Sequence, residues 1–163
     1  MNINNINESQ FQKIDSIRKI IVHDHARRFA SINLRNLGKC GLSWRSDLIE
    51  PMVMFSPDES TVWIGVDQQL VALDLNQGKI SVALPLNSSL VQILALSFIT
   101  VVLTELEVFI LNLDNSIQCI KGLPEIGSEI SIQGKDLIIG LLDGDVLILN
   151  IETGNFKETA MSY

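Results

Sequence analysis

The sequence predicts an all-β chain: three four-stranded sheets in tandem, preceded by a partial fourth. Three observations carry that expectation. The same pattern recurs at Leu73, Leu111 and Leu149, 38 residues apart, without gaps. Its apolar runs have the length of strands, and turn-forming residues separate them at fixed offsets.

Val71-Ala72-Leu73-Asp74-Leu75 returns as Phe109-Ile110-Leu111-Asn112-Leu113 and as Leu147-Ile148-Leu149-Asn150-Ile151. Upstream, Thr61–Val66 aligns with 99–104 and 137–142, and an acid follows each run: Asp67, Glu105, Asp143. Downstream, Gly78 aligns with Ser116 and Gly154, where the chain must turn and a positive φ is tolerated. In the first copy, Met52–Phe55, Thr61–Val66, 70–75 and 79–84 read as strands, with turns at 56–60, 67–69 and 76–78. Four short antiparallel strands in a period of about forty residues are the mark of a propeller blade. The expected blades are 47–84, 85–122 and 123–160, within a single domain of 163 residues. Val146, Leu147, Ile148 and Leu149 run consecutively, so the third strands are expected to be covered on both faces by neighbouring sheets.

Ahead of the repeats, residues 20–46 predict a partial blade. Residues 20–22 and 29–34 pair as a hairpin across a polar turn at 23–28, and 40–45 add a strand. Residues 1–19 form an N-terminal segment with a short helix over 7–19. Asn7 caps it, Gln10 reaches back, and Phe11, Ile14 and Ile17 share a face. Closed propellers have four to eight blades. The chain is therefore expected as a half-propeller, with a very small propeller as the other solution. The apolar end face of an open array has to be capped, pair with itself or bind a partner.

Met54-Phe55-Ser56-Pro57-Asp58-Glu59-Ser60 resembles the FSPDG opening of WD-repeat blades. Trp63-Ile64-Gly65-Val66-Asp67 with Leu73-Asp74-Leu75 is similar to quinoprotein-like blades. So is Ile139-Gly140-Leu141-Leu142-Asp143-Gly144 with Asn150-Ile151-Glu152-Thr153-Gly154. The resemblance spans roughly residues 50–160. It departs from both families: no Trp-Asp dipeptide ends a third strand, and no tryptophan follows the glycine turn. It implies the blade fold and nothing toward quinone binding.

Hydrophobic residues make up 47% and charged residues 19%, which fits a folded domain. A net charge of −7 disfavours nucleic acid and membrane surfaces and favours a basic protein partner. The N-terminus lacks a basic cluster before an apolar core, and Gln92, Ser97 and Thr100 interrupt the longest apolar stretch. A cytoplasmic protein is expected, with Cys40 and Cys119 as reduced thiols.

Catalytic groups are sparse. His23-Asp24-His25 is the one histidine cluster, and no third histidine completes a metal site. Asp143-Gly144-Asp145 reads as a hairpin turn rather than a calcium loop. No phosphate loop or nucleophile elbow occurs, so no catalytic residue, cofactor or metal is expected and the chain is not read as an enzyme. The blade register instead collects acids on one rim: Asp47, Glu50, Asp67, Glu105, Glu107, Glu125, Glu129, Asp143 and Asp145, near only Arg45 and Lys121. In size, acidity and lack of chemistry the chain resembles bacterial immunity proteins of contact-dependent growth inhibition systems. That resemblance implies an inhibitor covering the active site of a basic toxin, a nuclease and foremost an RNase. Two alternatives stand beside it: a self-assembling or scaffold propeller subunit, homodimeric in the simplest case, and a small-ligand sensor or enzyme.

Overall fold

The computed structural model describes residues 2–157, except the side chain of Asn36. The end of the last repeat, 158–160, lies outside the described residues. Among those described, sixteen strands form four four-stranded sheets, and the chain falls into two compact units, one ending at Leu86 and the other starting at Asn87.

The first unit opens with β1 (Ile3–Ile6), helix α1 (Glu8–Gln12), a 3-10 turn (Ser16–Arg18), β2 (Lys19–Ile21), β3 (Arg28–Leu34) and β4 (Gly38–Trp44). They build a sheet in the order β1-β3-β4-β2. The expected hairpin between 20–22 and 29–34 does not form. β3 pairs antiparallel with β1 and β4, and β2 runs parallel to β4. The reason is the path between them: α1 and the 3-10 turn carry the chain across the sheet, so β2 reaches the far edge of β4. The Asn7 cap forms as expected, with Asn7 Oδ1 accepting from the Gln10 amide at 2.8 Å and Gln10 returning the bond at 2.9 Å. The helix is shorter than 7–19, because Asp15 caps a separate 3-10 turn, and Ile17 is 79% exposed rather than on the buried face.

A regular sheet follows: β5 (Met52–Phe55), β6 (Thr61–Val66), β7 (Gln69–Asp74) and β8 (Lys79–Pro85), paired antiparallel in chain order. Its inward residues Val62, Ile64, Val66, Val71 and Leu73 share one core with Ile32, Leu34, Leu42 and Trp44. The second unit repeats the arrangement twice. β9 (Leu90–Ala95), β10 (Thr100–Thr104), β11 (Glu107–Leu111) and β12 (Ile117–Gly122) form one sheet. β13 (Gly127–Gln133), β14 (Asp136–Leu141), β15 (Val146–Asn150) and β16 (Asn155–Phe156) form the other. Val101, Leu103, Ile110, Ile139 and Leu149 are fully buried in their common core.

The recurring Asp/Asn has a clear job. Asp74 Oδ1 accepts from the amides of Asn76 and Gln77 at 2.8 and 3.0 Å, and Asn150 Oδ1 accepts from Glu152 and Thr153 at 2.9 and 3.0 Å. Each side chain closes the turn after its third strand. Gly78 and Gly154 then take positive φ. In the middle copy Asn115 does so instead of the aligned Ser116, and Asp114 holds Ser116. Burial on both faces holds for β7 and β11, where 70–73 and 108–111 are buried throughout. It does not hold for β15: of 146–149 only Leu149 is buried, because one face of that sheet is uncovered among the described residues.

Candidate functional site

In the second unit, three segments meet at one end. The amide of Gly127 donates to Glu105 O, Leu123 N to Leu106 O, and Leu142 N to Ile126 O, each at 2.8 Å. These bonds lace the β10–β11 turn, the β12–β13 link and the β14–β15 turn into one edge. A buried pair holds the first turn rigid. Ser88 donates to Thr104 Oγ1 at 2.9 Å, and Thr104 bonds both the carbonyl and the amide of Glu107. Sequence reading missed Ser88 and Thr104, since a hydroxyl pair sixteen residues apart leaves no local pattern.

This edge carries Glu105, Glu107, Glu125, Asp143 and Asp145, with Glu129 beside it on β13. Glu107 accepts from Asn87 at 3.2 Å, Asp143 accepts from the Asp145 amide at 2.9 Å, and Glu125 accepts from the Ile126 amide at 3.1 Å. Glu105, Glu129 and Asp145 make no side-chain hydrogen bond or ion pair among the described residues. Lys121 is the nearby cation. At the opposite end of the unit two of the three acids are paired, Glu152 with Lys135 at 3.0 Å and Asp136 with Lys157 at 2.8 Å, and Asp114 accepts from Ser116. The negative field is therefore one-ended. Two leucines stand out in it: Leu106 between Glu105 and Glu107, 51% exposed, and Leu142 before Asp143, 67% exposed.

The three rim acids of the first unit are placed differently. Arg28 was not among the expected rim cations, yet it pairs with Glu50 at 2.6 Å and donates to Asp47 O and Ile49 O at 3.3 and 3.2 Å. Its guanidinium also lies 4.8 Å from the Trp44 ring. Asp67 takes a positive φ and accepts from the amides of Arg45 and Ser46 at 3.3 and 3.2 Å, so its carboxylate ties two turns together. Of the three, Asp47 is the one whose carboxylate makes no bond among the described residues. The six acids of the second unit come together; Glu50 and Asp67 serve structure.

His23 and His25 stand in the turn between β2 and β3. The His25 amide donates to His23 Nδ1 at 3.0 Å and the rings lie 6.5 Å apart. Among the described residues no three His, Cys, Asp or Glu side chains gather as a metal site. Burial raises the Cys40 thiol pKa, with Arg18 opposing, and burial also raises that of Cys119. No helix among the described residues is long and apolar enough to cross a membrane.

Charge is divided unevenly along the chain. Eight of the twelve lysines and arginines, but three of the nineteen acids, fall in residues 1–46. Net charge is +5 there and −12 over the remainder.

No family model matches the chain, and no curated protein is significantly similar to it. Solved structures do match. Sqt1 of Saccharomyces cerevisiae aligns over 65% of this chain with a TM-score of 0.55 at 15% identity. The N-terminal domain of Nup159 aligns over 66% with a TM-score of 0.52 at 12% identity. Both are propeller-type folds built from four-stranded antiparallel sheets. The three regular antiparallel sheets of this chain are propeller-like blades. The matched stretch spans about a third of each neighbour, 34% and 33%, and identity this low shares the fold alone.

Proposed function

We propose that the chain is a protein-binding module whose acidic blade edge, Glu105 to Asp145, takes a basic protein. The observation that carries this is the edge of the second unit, where Glu105, Glu107, Glu125, Asp143 and Asp145 share three laced segments with the exposed Leu106 and Leu142, and Lys121 is the nearby cation. Acids steer a basic partner and speed its docking, and a desolvated apolar centre inside a charged ring supplies the affinity. The backbone lacing between the turns supports it, because a rigid edge loses little freedom on binding.

Within this reading the partner is a toxin, and the chain is an immunity protein of the contact-dependent growth inhibition kind. The edge would lie over a nuclease active site, most simply an RNase, in place of the phosphate backbone that site attracts. Size, acidity and the sparse catalytic groups support this narrower statement.

The test is capture from native cells followed by a nuclease assay with and without the chain. A basic polypeptide held at one-to-one, with nuclease activity that the chain suppresses, is the expected result. Suppression should be lost in Glu105→Lys/Glu125→Lys/Asp145→Lys, three substitutions that remove no tertiary bond. Full suppression by that variant would remove the acidic edge from the account.

A further inference from the structure

β15 carries the same apolar run as β7 and β11 but is covered on one face only among the described residues. Register shows which residues share the open face. Glu129 stands opposite Gly140 and Gly140 opposite Val146; Ser131, Ile138 and Ile148 form the next row. The centre is apolar, and Val146 is 47% exposed. A β-carbon on Gly140 would lie 3.0 Å from Glu129 Cγ, so the glutamate side chain lies across the sheet toward Val146. Its carboxylate has no ion pair among the described residues.

The N-terminal sheet has the opposite finish. Phe11 is buried, and its ring sits 5.3 Å from that of Phe29, so α1 closes the outer face of that sheet. Beside the helix, Lys13, Arg18 and Lys39 line a cleft of about 420 Å³ with Ile14 and Asp15. None of the three cations pairs with a carboxylate among the described residues. Ile17 projects next to them, 79% exposed.

We propose that a second copy of the chain docks head to tail, the basic cap of one copy on the uncovered β13–β16 face of the next. Charge complementarity selects this arrangement. Pairing two open faces would bring two Glu129 carboxylates into one interface, whereas head-to-tail contact opposes Glu129 to Lys13, Arg18 and Lys39 and covers Val146 with Ile17. Such a contact is heterologous, so it closes a ring or grows a chain. It leaves the acidic edge of the second unit to a different partner.

Sedimentation velocity of the full chain over a range of concentration tests it. Assembly that grows with concentration and weakens with salt is expected. Val146→Glu and Lys13→Glu should each give monomers, and mixing the two should give a single one-to-one pair, since each keeps the face the other has lost. Circular dichroism checks folding; Glu129→Lys replaces Val146→Glu, and Ile17→Asp replaces Lys13→Glu, if either fails. A wild-type chain that stays monomeric overturns the proposal. So does assembly that survives both substitutions, or a mixture that stays monomeric.

Discussion

Asp58 lies in the exposed β5–β6 turn and accepts from the Ser56 hydroxyl at 2.7 Å, the Ser60 amide at 3.0 Å and the Ser60 hydroxyl at 2.8 Å. The Ser56 bond first, then the two from Ser60, lower its pKa to about 2. An unfolded aspartate titrates near ~3.9. The turn is therefore held fully above roughly that pH, and its contribution is lost as pH falls toward the folded value. Carboxyl NMR should find Asp58 still ionised at about pH 3, where a free aspartate is mostly protonated; a midpoint near the free value would contradict the bonding. Serine, proline and aspartate in this order were legible as a turn, whereas the positive φ of Asp67 and its bonds to Arg45 and Ser46 were not. Those partners come from a turn 22 and 21 residues earlier, and short-range spacing carries no trace of them.

At the scale of elements, the regular blades could be read and the first sheet only in part. β6, β7 and β8 are hairpins joined by two- to four-residue turns, so each strand pairs with its neighbour in sequence. β1 instead pairs with residues 29–32 and β2 runs parallel to β4, both long-range contacts that no local pattern announces. The first sheet departs from the blade pattern in its strand order and its parallel pair, and α1 packs on one of its faces. Gly41 is part of that design: a β-carbon there would stand 3.0 Å from both Ile14 Cδ1 and Phe11 Cε2. Valine has the better strand propensity, but its added carbons would enter space the helix already fills. Gly41→Val is expected to destabilise by about 1–3 kcal/mol through overpacking, and Phe11→Ala by about 3 kcal/mol through the cavity it leaves. Hydrogen exchange at residues 8–12 reads both effects; unchanged protection in either variant would show that α1 does not depend on this packing.

For the whole molecule, charge separation matters more than net charge. A value of −7 conceals a basic N-terminal segment and an acidic remainder, and reading the total alone hid the first. The rim acids predicted from blade register divide the same way, with Arg28 neutralising Glu50 in the first unit and Lys121 the nearby cation in the second. Binding at the acidic edge should therefore weaken steeply with salt, whereas Leu106→Ala and Leu142→Ala should weaken it at every salt concentration. The most direct measurement sets wild type and Glu105→Lys/Glu125→Lys/Asp145→Lys side by side in capture from native extract, with release by salt. A basic polypeptide retained at one-to-one by the wild type and absent from the variant is the expected result. The same polypeptide retained equally by both would contradict a function carried by this edge.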